Sequence, residues 1–311
     1  MEFFKKTPSI PFMEKRFWAY AVSVVLILGS IVSLATRGLN FGIDFTGGVV
    51  IEVGYPSSVD LDSARDAVEA AGFPDPVVQT VDSSREIMVR VMPEANEDVN
   101  HVAQRILAAL KTVDPGAELR RTDVVGPQVG AELAEKGGLA MLFTFVMILI
   151  YVGFRFEKKM AAGTVLAAMH DPFVILGFFS VTQMTFDLTV LAAVLAVIGY
   201  SINDTVVVFD RVREVFHIMR KATTMQVLNA AVNQTLSRTL MTSFSTLFVV
   251  GSLYLLAGEA LQGFSLAIIV GIVVGTFSSV FIAAALALDM KLKAIDLMPP
   301  QRDKSELDAM P

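Results

Sequence analysis

Asp204 is a carboxylate set inside an apolar run from Leu188 to Phe209, with Tyr200, Ser201 and Asn203 just before it. About 20 residues at about 1.5 Å rise each reach across a bilayer, and a carboxylate within such a helix costs on the order of 3 kcal/mol. A chain that keeps such a group needs it to move charge, bind an ion or hold a partner helix. Tyr200 and Asn203 stand at helical spacings that share or flank its face and are candidate supporting groups. Arg238, within Asn233-Gln234-Thr235-Leu236-Ser237-Arg238-Thr239-Leu240, lies at the mouth of another apolar run and does not give up its proton. An apolar wall favours the neutral carboxylic acid and a guanidinium favours the carboxylate, so a movable arginine could switch a buried aspartate's hold on a proton. The residues leave two readings open for Asp204: a titrating group, or a static ion pair with Arg238 or Arg211. His170-Asp171-Pro172 falls within a third apolar run, where the proline frees a backbone carbonyl and predicts a kink. That pair is either a supporting polar site or a structural hydrogen bond beside the kink.

The elements that carry these groups are membrane spans. The composition is 54% hydrophobic and 18% charged, with mean hydropathy +0.60. Six runs qualify, at about 17–36, 137–154, 160–181, 188–209, 240–257 and 263–288. The first, flanked by Lys5, Lys6, Lys15 and Arg16, is too long for a cleaved signal segment. The N-terminal tail, the 155–159 loop and the 210–239 loop hold the Lys and Arg residues, while 182–187 and 258–262 hold none. The positive-inside rule then places both termini in the cytoplasm. The expected layout is a cytoplasmic tail 1–16, a first helix 17–36, and an extracytoplasmic domain 37–136. Helices 2–6 follow within 137–288, with a cytoplasmic loop 210–239 and a tail 289–311. Residues 38–136 carry 17 acidic against 8 basic residues, so the chain's net charge of −6 belongs to the external domain. There is no cysteine, and His101, His170 and His217 form no metal-spaced cluster, so no metal site is expected.

Within the external segment, 49–53, 77–81, 87–91 and 119–125 read as strands, and 61–71 and 99–113 as helices, with Asp82-Ser83-Ser84 in a turn. The order β-α-β-β-α-β predicts an α+β ferredoxin-like domain. No nucleophile faces a base, so a binding or lever domain is expected rather than an enzyme. Phe41-Gly42-Ile43-Asp44-Phe45-Thr46-Gly47-Gly48 and Val125-Gly126-Pro127-Gln128-Val129-Gly130 flank it. Neither ends in Gly-Lys-Ser/Thr, so both are read as turns joining domain to spans and able to serve as hinges. Gly271 and Gly275, with Ser278 and Ser279 a turn further, predict a close-packed helix face. Asp210, Arg211, Arg213 and Glu214 read as a solvated helix end, and the residues from Val215 to Val232 as an amphipathic stretch along the cytoplasmic surface.

Several of these stretches occur in order in one family. They are Phe41 to Gly48, Val125-Gly126-Pro127 with Val129-Gly130, Tyr151-Val152-Gly153-Phe154-Arg155-Phe156-Glu157, Ile198 to Asp204, and Gln234 to Thr239. In them the chain resembles the SecD/SecF protein-export membrane family, of the resistance-nodulation-division superfamily. The resemblance implies a helical polytopic protein of the inner membrane that pairs with SecD, a related six-span protein, and associates with the SecYEG channel. YajC and YidC are further candidate partners, beside the unfolded exported polypeptide and membrane lipid; no nucleic acid is expected. It implies that the proton gradient promotes a late, ATP-independent stage of export, with protons as coupling ion and no cofactor. Asp204 would lie in the proton path, Arg238 would be its partner, and a second aspartate would come from SecD. Pro172 after His170-Asp171 falls outside the family's pattern. The competing readings are a half-transporter exporting small amphiphiles and a passive scaffold of a membrane complex.

Overall fold

The computed structural model describes residues 8–81, 85–93, 97–258 and 261–297. Lys5 and Lys6, the turn Asp82-Ser83-Ser84 and the tail beyond residue 297 lie outside them. Helix α1 (Arg16–Arg37) leads through Gly38, at φ +66°, to a one-turn helix α2 (Ile43–Thr46).

The domain follows as β1 (Gly48–Gly54), α3 (Leu61–Ala70), β2 (Val77–Thr80), β3 (Glu86–Val91), α4 (Val99–Val113) and β4 (Glu118–Val125). The sheet order is β2-β3-β1-β4, antiparallel throughout, which is the ferredoxin-like arrangement the sequence predicts. Alternation sets the faces: Ile87, Val89 and Val91 are buried beneath α3 and α4, while Glu86, Met88 and Arg90 point the other way. Val102, Ile106 and Leu110 bring the apolar stripe of α4 onto the same core.

Asp60 starts α3 by accepting hydrogen bonds from the Ser63 hydroxyl and backbone N–H at 2.6 and 3.1 Å. Those bonds hold its carboxyl below the usual carboxylate range. The cap therefore contributes above the unfolded-state value and is lost as pH falls through the lower folded one. Asp60→Ala should weaken the domain at neutral pH and flatten its acid-side loss of stability, as read by denaturant unfolding of the detergent-solubilised chain at pH steps.

The bundle consists of α5 (Pro127–Arg155), α6 (Lys158–Thr182), α7 (Leu188–Ile218), α8 (Thr224–Leu256) and α9 (Gln262–Phe277). The last runs through a π-helical turn, Ser278–Ala283, into α10 (Ala284–Asp289). With α1 this makes, among the described residues, six helical rods long and apolar enough to cross a membrane. α6, α7 and α9 form the inner layer, and α5 and α8 leave large side chains such as Phe143, Leu142, Phe248 and Leu255 exposed. Small residues set the close approaches. Gly177 of α6 lies against Ser30 of α1, and Gly271 and Gly275 of α9 lie against Val197 and Ser201 of α7. The partner of the glycine face is thus α7. Gly271→Leu would drive a side chain into Val197 and should cost about 1–3 kcal/mol, seen as a lower thermal midpoint in detergent.

Several features differ from the expectation. The 126–130 stretch is not a free turn: Gly126 caps α5, Pro127 is its first residue and Gly130 is buried in its first turn. Proline at the first helical position lacks an N–H that would be unpaired there anyway, and so signals a helix start as readily as a turn. The 210–239 loop shrinks to residues 219–223, because α7 and α8 extend into it. Its apolar stretch is no surface helix: Val215, Phe216, Val227, Leu228, Ala231 and Val232 are buried in one cluster with Phe12 and Met13. The described part of the N-terminal tail is docked too. Asn233 of α8 accepts from Ile10 N–H at 2.9 Å and donates to its carbonyl at 2.8 Å, and Asn229 accepts from Met13 N–H at 2.9 Å. Asp210 is not simply solvated, since Arg155 of α5 reaches both its oxygens at 2.6 Å.

Candidate functional site

Asp204 lies in the middle of α7 once the helix is known to run to Ile218, about 24 Å along the axis from Leu188. It is 3% exposed, and its Oδ2 has no hydrogen-bond partner. Arg238 of α8 is near enough for its charge to act on Asp204, yet no ion pair joins them, and Arg238 is exposed. Arg211 is not the counter-ion either: it donates to Gln234 at 2.6 Å and pairs with Glu214. The static ion pair is therefore absent among the described residues. Tyr200 places its hydroxyl in the interior with no partner, whereas Asn203 faces outward.

One turn along, Ser201 belongs to a second buried centre. Asp171 of α6, 0% exposed, takes His170 Nδ1 at 2.9 Å on Oδ1. Its Oδ2 accepts from Ser278 Oγ at 2.9 Å and from Ser201 Oγ. The carboxylate thus fastens α6 to α7 and to the π turn of α9. α6 continues through Pro172 as one helix. His170 and Asp171 were legible as a polar pair. Ser201 and Ser278 were not legible as its ligands: the one passed as part of a motif, the other as a small packing residue.

The two glycine motifs, distant in sequence, meet. A side chain on Gly47 would sit 2.6 Å from Pro127 Cα, and one on Gly130 would sit 2.6 Å from Gly47 N. Gly47 and Gly48 have φ of +70° and +120°, which glycine adopts without strain. Asp44 Oδ2 accepts from Leu188 N–H at 3.0 Å, so this segment caps the helix that carries Asp204. Phe41 pairs with Phe186 by a backbone bridge, and Phe45 stacks on Phe186 with centroids 6.0 Å apart. Arg90 of β3 donates to Asn40 Oδ1 at 3.0 Å and to the Phe41 carbonyl. The strap 40–47 is therefore held by the sheet on one side and by the start of α7 on the other.

Residues 105–293 match the family described as protein export membrane protein SecD/SecF, C-terminal, and residues 32–55 match its GG motif. The protein translocase subunit SecF of Vibrio alginolyticus is 46% identical over 99% of this chain and 98% of its own length. That of Pseudomonas aeruginosa is 46% identical over 98% and 99%. The crystal structure of SecDF from Thermus thermophilus, a translocon-associated membrane protein, superposes with TM-score 0.82 at 35% identity, over 91% of this chain. The chain spans 39% of that longer polypeptide. With its GG motif at the strap and relatives matched end to end, the chain belongs to the SecD/SecF family of protein-export membrane proteins, among the SecF translocase subunits.

Proposed function

We propose that this chain is a proton-driven accessory subunit of the Sec translocase, paired with SecD, which turns the gradient into movement of its external domain late in export. The observation that carries this is the Asp204 carboxylate: mid-helix, buried, with one oxygen unpartnered and a guanidinium nearby but unpaired. A permanent ion pair would hold its charge; an unpaired buried carboxylate is free to take a proton and lose it again. Asp204 and Arg238 are the proton-relay pair, with Tyr200 in the same interior.

Movement at α7 has a direct outlet. Asp44 holds the first turn of α7, and Gly47 and Gly130 lock that strap to α5, so a shift of α7 is passed to β1 and β4. The coupling ion is the proton, and nothing in the scheme requires a metal or cofactor. The Lys and Arg distribution supports an external domain outside the inner membrane with both termini in the cytoplasm. Relatives named as translocase subunits, and a SecDF described as translocon-associated, favour the protein-export reading over an exporter of small amphiphiles. SecYEG, and YajC and YidC beside it, are the partners this reading calls for.

The test is export into inverted membrane vesicles after the ATP-driven steps are complete, with and without a gradient. Gradient-stimulated completion should vanish when this subunit is depleted and return when it is restored. Equal stimulation without the subunit would reduce it to a passive scaffold.

A further inference from the structure

The buried centre on α6 is not used by the Asp204 scheme, yet it holds a titratable ring with a free nitrogen deep in the bundle. His170 is 4% exposed, its Nδ1 is engaged by Asp171, and its Nε2 has no partner. In the neutral ring with Nδ1–H donating to the carboxylate, Nε2 presents a lone pair. Every other contact to Asp171, from Ser201 and Ser278, donates a hydrogen from an uncharged hydroxyl. The centre then carries one uncompensated negative charge at full burial, a costly arrangement. A proton bound at Nε2 makes the ring an imidazolium beside the carboxylate and brings the net charge of the pair from −1 to 0. Its release breaks that N–H bond and restores the starting state, so the cycle needs no other reactant.

We propose that His170 is a second proton-holding group, seated by Asp171 and acting in series with Asp204. This rests on the gradient-driven reading above. The two centres are joined along α7: Ser201, which donates to Asp171, lies one turn from Asp204 on the same buried side, and Thr205 bonds back to the Ser201 carbonyl at 3.2 Å. The charged groups that the packed helices bring near this level are those of the Asp204 site. Away from its ends α1 brings only serines, such as Ser30 and Ser33, and α9 with its π turn brings Ser278 and Ser279. The titratable or charged groups in the middle of α7 and α8 are Tyr200, Asp204 and Arg238, and α5 contributes Tyr151 on an exposed face. The π turn gives the charge change a mechanical consequence. Ser278 begins that turn and is held by Asp171, and π turns are frequent where a helix must shift at a functional site. Neutralising the pair weakens the carboxylate's hold on the Ser201 and Ser278 hydroxyls, which loosens α7 and α9 from α6.

The experiment uses the full chain with its translocase partners in vesicles, and reads gradient-driven export against pH. His170→Gln keeps a polar side chain of similar size but cannot take the proton, and Asp204→Asn runs beside it. His170→Gln should lower gradient-driven export several-fold and change the shape of its pH profile, with the amount of assembled complex unchanged. Ser278→Ala, which leaves both titratable groups in place, should move the pH profile with a smaller loss at the optimum, and it decides the matter if His170→Gln does not assemble. If Asp204→Asn is inactive while the folded His170 and Ser278 variants keep the wild-type rate and profile, the His170 proposal is overturned and the proposed function stands. If all three export as wild type, both are overturned.

Discussion

Asp204→Asn will assemble with its partners in normal amount and lose the gradient-driven part of export. The substitution keeps the shape of the side chain and removes only its ability to be charged. It should not harm the fold, because the carboxylate makes no ion pair and leaves Oδ2 unpartnered; no hydrogen bond to that atom is lost. An uncompensated buried charge is itself unfavourable, so the thermal midpoint should hold or rise. The functional loss should be large. One charge crossing the membrane potential supplies about 2.3 kcal/mol per 100 mV, roughly a 50-fold bias in a two-state equilibrium. Without a titrating group that bias is gone, and completion should fall to the rate seen with the gradient collapsed. Arg238→Lys keeps the charge but not the planar fork, and serves as the companion variant in the same assay.

The second large effect is at the joint, where two glycines of one motif should behave oppositely. Gly130→Ala pushes a methyl to 2.6 Å from the Gly47 backbone nitrogen, and Gly47→Ala pushes one to 2.6 Å from Pro127 Cα. Both collisions are with main chain, which cannot swing aside as a side chain can. Overpacking of this kind costs about 1–3 kcal/mol, and at Gly47 the φ of +70° adds on the order of 1 kcal/mol more. Against a total stability of about 5–15 kcal/mol this should cut the level of folded protein several-fold. Gly126 is the control: it has φ −64° and nothing within 4 Å of a built Cβ, so Gly126→Ala should be tolerated. Immunoblot of the membrane fraction and thermal unfolding in detergent read both. Equal tolerance at Gly126 and Gly130 would refute the backbone lock.

How much of this was legible in the sequence depends on whether the signal is local. The strands and helices of the external domain follow from periodicity, since Ile87, Val89 and Val91 alternate with polar neighbours and Val102, Ile106 and Leu110 recur at helical spacing. Asp204 stands out because a carboxylate in an apolar run is conspicuous in one dimension. The ends of α7 and α8 are not legible because their far turns mix charge with apolar residues, and that pattern fits a surface loop as well as a helix packed on Phe12 and Met13. Gly126-Pro127 fits a turn as well as the helix start it makes, because proline serves both alike. The contact of Gly47 with Gly130, the cap that Asp44 places on α7, and the serines around Asp171 are meetings of segments far apart in sequence. No spacing rule encodes them. The outward facing of Arg238 depends on how α8 is rotated in the bundle, which a helix that scatters Ser, Thr, Asn and Gln among its apolar residues leaves undetermined.

The central claim, that a proton at Asp204 moves the external domain, is tested most directly by a distance. The chain has no cysteine, so Glu69→Cys on the exposed side of α3 and Thr182→Cys at the domain end of α6 can carry one spin label each. In proteoliposomes with the partner subunit, the distance distribution between the labels should shift when a proton gradient is imposed, and should stay fixed in the Asp204→Asn background. A shift of equal size in Asp204→Asn, or none in the wild-type chain that is driving export, would contradict the account.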